Sequence, residues 1–365
     1  MNGAQVGAPG RWSTPLPDGR IQCDLCPRRC RLRPGQRGYC FIRRGTDGGI
    51  ELTTWGRSSG FAVDPIEKKP LFHFHPGTAV FSFGTAGCNL GCRFCQNWEI
   101  STSREWDRLA AAATPDAIAR WCVDNGVPQV AFTYNDPVVF AEYAIDTARA
   151  CRSEGIRSVA VTAGWIGSGA REEFFDVMDA TNIDLKGFNE EFYRRITGAS
   201  LTDVLETIAW VARRGRTWME LTTLLIPGLN DSDDEIRREA EWIRSELGPE
   251  VPLHFTAFHP AHRMTGISPT PVSTLIRARA LALEEGLHHV YTGNVVDPEG
   301  SVTRCAGCGE ALIEREGYVV SAYRLTTSGA CPCCGTPLPG RFGVGAGLAY
   351  TDTPFRMAPG VRFSL

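Results

Sequence analysis

The chain has 365 residues, a formal net charge of -3, and 43% hydrophobic against 22% charged residues. That is the composition of an ordinary globular protein, and the charge gives no electrostatic reason to expect nucleic acid or a membrane surface as partner. No stretch approaches the ~18 consecutive apolar residues of a membrane span. The start, MNGAQVGAPGRWSTPLPDGR, lacks the apolar core of an export signal, so it reads as a loose Gly/Pro-rich tail and a cytoplasmic location is expected.

A reducing compartment leaves 14 cysteines better explained by metal binding than by a disulfide scaffold. In chain order, the first group is Cys23-x2-Cys26-x3-Cys30-x9-Cys40, four thiolates in a Gly- and Pro-punctuated segment, suited to zinc or to a second iron–sulfur cluster acting as electron relay. The stretch LFHFHPG (71–77) brings His73 and His75 to one side of a strand, and without a third ligand nearby it predicts packing beside a barrel mouth. AVFSFG (79–84) is a short apolar strand, and it enters GCNLGCRFCQNWE (87–99), which carries Cys88, Cys92 and Cys95. A closed zinc site takes four ligands, whereas three thiolates on a [4Fe–4S] cluster leave one iron open to a substrate or cofactor.

Strand and helix then alternate. Helix is predicted over 114–126, 137–155, 169–179, 189–196, 200–214, 232–246 and 271–285, and strand over 127–134, 156–162, 182–186, 217–227, 252–258 and 288–293. Cys122 and Cys151 fall in helices as buried apolar fillers. The short connections argue for a parallel sheet covered by helices, and six or so units suit a partial barrel, with chemistry at the C-terminal strand ends. In TYNDP, Asp136 is placed to cap a helix that begins at Pro137. In NIDLK, Asp184 and Lys186 alternate onto one strand face, where they are able to form an ion pair. Near the end, Cys305-x2-Cys308 and Cys331-x2-Cys334 form two knuckles, each followed by Gly, with the spacing of a zinc ribbon; Cys333 is a bystander. Domains are expected at 1–77 (N-terminal four-cysteine module), 78–295 (barrel) and 296–365 (C-terminal four-cysteine module and tail).

The stretches CDLCPRRCRLRPGQRGYCFIR, KPLFHFHPG, GCNLGCRFCQNWEIS, NIDLKGF, LLIPGLND, HFTAFHP, GLHHVYTGNV and CPCCGTPLPGRF resemble the radical S-adenosylmethionine (SAM) enzyme of the AmmeMemoRadiSam system, a relative of pyruvate formate-lyase activating enzymes. The resemblance implies an α/β fold, a partial (β/α)6 radical SAM barrel, with a [4Fe–4S] cluster on Cys88, Cys92 and Cys95 whose fourth iron takes SAM. It implies an oxidoreductase-like reaction: reductive cleavage of SAM to a 5′-deoxyadenosyl radical that abstracts hydrogen from a substrate, with flavodoxin or ferredoxin as electron donor. It also assigns SAM contacts to Asn135, Asp136, Asp184, Lys186 and His259. Two substrate classes follow, a partner protein as in glycyl-radical activases, or a small molecule. VTAG (161–164) departs from the activase pattern at Val161 and Ala163. A non-catalytic iron–sulfur or zinc interaction protein is the reading from a different class.

Overall fold

The structure is a computed structural model that describes residues 7–104 and 111–343. Within these residues two compact units are distinguished. One is the chain up to Val63 with Val80–Asp179; the other is Asp64–Ala79 with the chain from Ala180 onward.

In the first unit, strands β1 (Ala79–Gly84), β2 (Gln129–Phe132) and β3 (Arg157–Thr162) run parallel, with Ala131 opposite both Ser82 and Val159. The interior residues Val80, Phe81, Phe83, Val130, Ala131 and Phe132 are wholly buried, as expected of a sheet covered on both faces. Three helices alternate with these strands: α1 (Pro115–Asp124), α2 (Ala141–Ser153) and α3 (Ser168–Phe175). Helix α1 starts where Thr114 accepts a hydrogen bond from the Ala117 amide, with Pro115 in the first turn where its missing N–H costs nothing. Cys122 and Cys151 are fully buried on α1 and α2, as fillers. Helix α3 ends four residues before the expected position, because Asp179 turns away to exchange two hydrogen bonds with Ser158 on β3.

The expected loose start is corrected. Ala8–Gly10 and Arg43–Gly45 flank Ile50–Leu52 in one antiparallel sheet, and Ser13–Pro15 and Arg31–Leu32 flank Ile21–Cys23 in another. Local hydropathy misses these strands because each is two or three residues long. What holds them is tertiary: Arg43 makes a bidentate, almost fully buried pair with Glu142 of α2 (2.7 and 2.9 Å), and the Arg11 amide donates to the same carboxylate. Residues 1–6 and the tail 344–365 lie outside the described residues.

In the second unit, β4 (Ala180–Asp184), β5 (Trp218–Leu225), β6 (Leu253–Ala257) and β7 (Val290–Gly293) run parallel in that order. Between them come α4 (Leu201–Arg214), α5 (Asp233–Glu246) and α6 (Val272–Glu284). Ser200 and Ser232 cap α4 and α5, and left-handed Gly215 closes α4. The helix expected over 189–196 is present as Glu190–Phe192 running into a wider π-type turn, Tyr193–Thr197, where the Gly198 amide donates to the Tyr193 carbonyl. Among the described residues, six of the seven parallel strands named here are followed by a helix.

The segment 71–77 lies at the opposite strand ends from those expected. Glu220, near the start of β5, accepts hydrogen bonds from the Phe72 and His73 amides and from His254 near the start of β6. His73 hydrogen-bonds Tyr291, near the start of β7, and the Pro339 carbonyl, each at 2.6 Å. Packing of His73 is therefore as read from the sequence, but at the N-terminal strand ends rather than at the mouth. Burial pushes the His73 ring down to about 3, so it is neutral. Arg315 of the last hairpin joins this base: it stacks over Phe72 and donates to the Phe72 carbonyl and to Thr303.

Candidate functional site

The cysteine loop leaves β1 at Gly84 and is fixed by one side chain from the end of β2. Asn135 donates to Thr85 Oγ1 (3.2 Å), the Ala86 carbonyl (3.1 Å) and the Gly87 carbonyl (2.8 Å), and accepts from the Thr85 amide (2.9 Å). A Cβ on Gly84 would stand 2.6 Å from Asn135 Oδ1, so the clamp requires glycine there. Inside the loop, Asn89 donates to the Trp165 carbonyl and accepts at its own carbonyl from Arg28. Gly87 has φ of +72°, and a Cβ on it would lie 1.9 Å from the Cys40 carbonyl oxygen. The loop thus rests directly on the N-terminal cysteine segment.

Asp136 caps the turn at Pro137 by accepting from the Val138 amide (3.0 Å). It also accepts from Thr162 Oγ1 and the Ala163 amide at the end of β3, both at 2.9 Å. Its charge and amide face Cys88. Burial raises the Cys88 thiol pKa well above the ordinary value and the Asp136 charge raises it further, while the Leu90 and Asp136 amides oppose them. A thiol so placed becomes a thiolate when a cation binds it. Cys95 lies 3.3 Å from Ser101 Oγ.

In the second unit, Asp184 ends β4 and pairs with Lys186 at 2.9 Å, the carboxylate one-third exposed and the ammonium largely covered. The Lys186 backbone is held from both sides, its amide donating to Tyr193 and its carbonyl accepting from Asn230. Asn230 also serves the Ile226 amide and the Leu224 carbonyl, so NIDLKGF and LLIPGLND form one hydrogen-bonded rim. His259 is exposed just past β6. The structure therefore gathers Cys88, Asn135 and Asp136 in one unit and Asp184 with Lys186 in the other. Asn89, Thr162 and Asn230 escaped the sequence reading, since single polar residues in loops or at a strand end carry no periodic signal; their only trace was membership of the quoted motifs.

The C-terminal thiols are already gathered. Cys305, Cys308, Cys331 and Cys334 have all four sulfurs within 4.8 Å of one another, with Cys305–Cys334 at 3.5 Å and Cys308–Cys331 at 3.7 Å. The knuckles repeat one pattern: the Cys305 and Cys331 amides donate to the Glu310 and Thr336 carbonyls, and the Gly309 and Gly335 amides donate back to the two cysteines. Both glycines have φ of +77°, where other residues are strained. The Thr336 hydroxyl and amide hold Cys334 down to about 6. A three-stranded sheet, β8 (Thr303–Arg304), β9 (Ala311–Glu316) and β10 (Val319–Tyr323), supports the group over a core of Leu312, Ile313 and Leu338. Cys333 is exposed and outside the group. No helix among the described residues is long and apolar enough to cross a membrane.

The Radical SAM superfamily pattern matches residues 83–240, from the end of β1 to within α5. Uncharacterized protein MJ0808 of Methanocaldococcus jannaschii is 40% identical over 323 residues, which span 88% of this chain and 95% of that protein. Pyruvate formate-lyase 1-activating enzyme of Escherichia coli is 25% identical over 234 residues, 59% of this chain and 92% of that enzyme. A solved radical SAM methyltransferase from Sphaerobacter thermophilus is similar with a TM-score of 0.47 and 17% identity, covering 80% of this chain and 79% of that one. A three-cysteine loop closing the first parallel strand, in a chain so related, makes this an enzyme with an α/β fold that belongs to the radical SAM superfamily.

Proposed function

We propose that Cys88, Cys92 and Cys95 hold a [4Fe–4S] cluster with one iron left to SAM, and that the protein uses the pair to abstract hydrogen from a substrate. The observation that carries this is the Asn135 clamp, which fixes the three-thiol loop to the end of β2 by four hydrogen bonds. When bound, the cluster and SAM together supply one-electron cleavage of the sulfonium and the hydrogen-abstracting species. The chain's own residues position and shield. Asp136 ties the ends of β2 and β3 beside Cys88, Lys186 offers an ammonium for the SAM carboxylate, and His259 offers an exposed imidazole to the same cofactor. Asn135 acts on SAM through the loop it clamps. Flavodoxin or ferredoxin is the expected donor class, and the C-terminal four thiols hold one structural zinc as a ribbon.

The motifs quoted above support the narrower assignment to the AmmeMemoRadiSam enzyme. A protein substrate of the glycyl-radical activase kind is supported by the likeness to pyruvate formate-lyase activating enzymes. The test is release of 5′-deoxyadenosine by anaerobically reconstituted, reduced protein given SAM. It is expected from the native chain and lost in the triple Cys88→Ala, Cys92→Ala, Cys95→Ala variant. Equal release by both would remove the loop from the chemistry.

A further inference from the structure

The first cysteine group differs from the last in one physical respect. The C-terminal sulfurs are drawn together as four ~2.3 Å bonds to one zinc require. Cys23, Cys26, Cys30 and Cys40 are not gathered in this way, and all four line one cavity. Leu25, Leu32, Val138 and Val139 complete much of its wall, so the space is apolar apart from the thiols and a few placed donors. The Tyr39 amide points at Cys30 Sγ (3.5 Å). Arg43, 2% exposed, also lines the cavity, and its Nε is buried without a hydrogen-bond partner. A buried orphan donor beside four thiols marks room for an acceptor.

The cavity also adjoins the Cys88 loop. Asn89, next to Cys88, forms part of its wall, as do Val138 and Val139 in the turn that Asp136 caps. The Cys40 carbonyl lies against Gly87, on the other side of Cys88. The cavity therefore shares its wall with the Cys88 loop.

We infer that Cys23, Cys26, Cys30 and Cys40 bind an iron–sulfur cluster rather than zinc, and that this cluster is the inner electron relay to the cluster of the Cys88 loop. Four thiolates spread wider than a single zinc ion draws them suit a cluster of four irons and four sulfides, one thiolate per iron. Inorganic sulfide supplies the acceptor that the Arg43 Nε lacks. One electron enters from a low-potential donor protein, reduces this cluster, and passes to the second, returning the first to its oxidised state; no bond is made or broken. The metal assignment stands on the spread of the four thiols and the orphan Arg43 donor, whereas the relay rests on the proposed radical chemistry, and the experiment separates the two.

The full-length Cys88→Ala, Cys92→Ala, Cys95→Ala variant is reconstituted anaerobically with ferrous iron and sulfide, and its metals are counted. Roughly four irons and four sulfides per chain are expected, with a paramagnetic signal on reduction that SAM does not alter. Absence of iron while the C-terminal zinc is retained, or the gain of a second zinc, overturns the assignment; the retained zinc reports that the chain has folded. A Cys26→Ser, Cys30→Ser variant of the otherwise native chain gives the reverse count. Its iron is expected to fall from roughly eight to roughly four per chain, with the remaining signal still shifted by SAM, and unchanged iron again overturns the assignment. The relay is read from the same variant: SAM cleavage driven by a protein donor is expected to fall at least tenfold more than cleavage driven by dithionite. Equal losses would leave the cluster in place but end the relay.

Discussion

Gly87 carries two constraints at once, a left-handed backbone and a neighbour that leaves no space for a methyl group. With φ at +72° and the Cys40 carbonyl oxygen 1.9 Å from a built Cβ, Gly87→Ala must move either the loop or the N-terminal cysteine segment. The left-handed conformation alone costs roughly 1–2 kcal/mol. The variant is expected to melt lower and to lose iron from the Cys88 loop, checked by thermal unfolding and iron analysis. Lys186 poses a different question, because its ammonium already has a partner in Asp184. If it also meets the SAM carboxylate, Lys186→Met removes a charge-assisted contact of roughly 1.5–3 kcal/mol, a ten- to 150-fold loss of SAM affinity. SAM titration and melting of one sample decide the matter, since a purely structural pair would lower the melting temperature and leave affinity unchanged. The sequence showed the pair but not the Tyr193 and Asn230 bonds that hold Lys186 in place, because those partners lie 7 and 44 positions away.

Helix α5 buries a carboxyl against β5. Glu239 hydrogen-bonds Thr223, whose hydroxyl also donates to the Leu185 carbonyl, and burial raises its pKa to about 8. The folded value is above the unfolded one, so the contribution is fully present below about pH 4.5 and is lost as pH rises to about 8. Across that window unfolding releases a proton, and stability falls with pH. Glu239→Gln has no such proton to release. It is expected to be more stable than the native chain at pH 8, by an amount that shrinks towards pH 4.5; denaturant melts at several pH values measure it, and a constant difference would contradict it. Elements of this kind were legible in advance. The helices at 114–126, 200–214 and 232–246 carried Thr or Ser caps and Gly or charged ends, and they lie within two residues of the expected bounds. The two- and three-residue strands of the N-terminal segment were not legible, because they are too short for a period and are held by Arg43 reaching Glu142, 99 positions away.

For the whole molecule, the C-terminal thiols and the base of the second unit are one connected structure. Arg315 extends from β9 to Phe72, and His73 connects Tyr291 to Pro339. Removing the ribbon metal should therefore be felt at the starts of β5, β6 and β7. The Cys305→Ser, Cys334→Ser variant is expected to lose about one zinc, and amide exchange near Glu220, His254 and Tyr291 should quicken; local exchange confined to 303–338 would show the ribbon to be energetically separate. The sequence displayed both partners of this connection, KPLFHFHPG and CPCCGTPLPGRF, without showing that they meet.

The His73–Pro339 contact spans 266 positions. A ribosome adding ~5–20 residues per second needs roughly 13–53 s to make that stretch. During that time Phe72, His73 and Phe74 have emerged while the segment that covers His73 and pairs beside Phe74 has not yet been made. For the nascent chain, the slowest contact at this base is set by translation rather than by diffusion, and early-made apolar side chains must be shielded until Pro339 and Arg341 have been added.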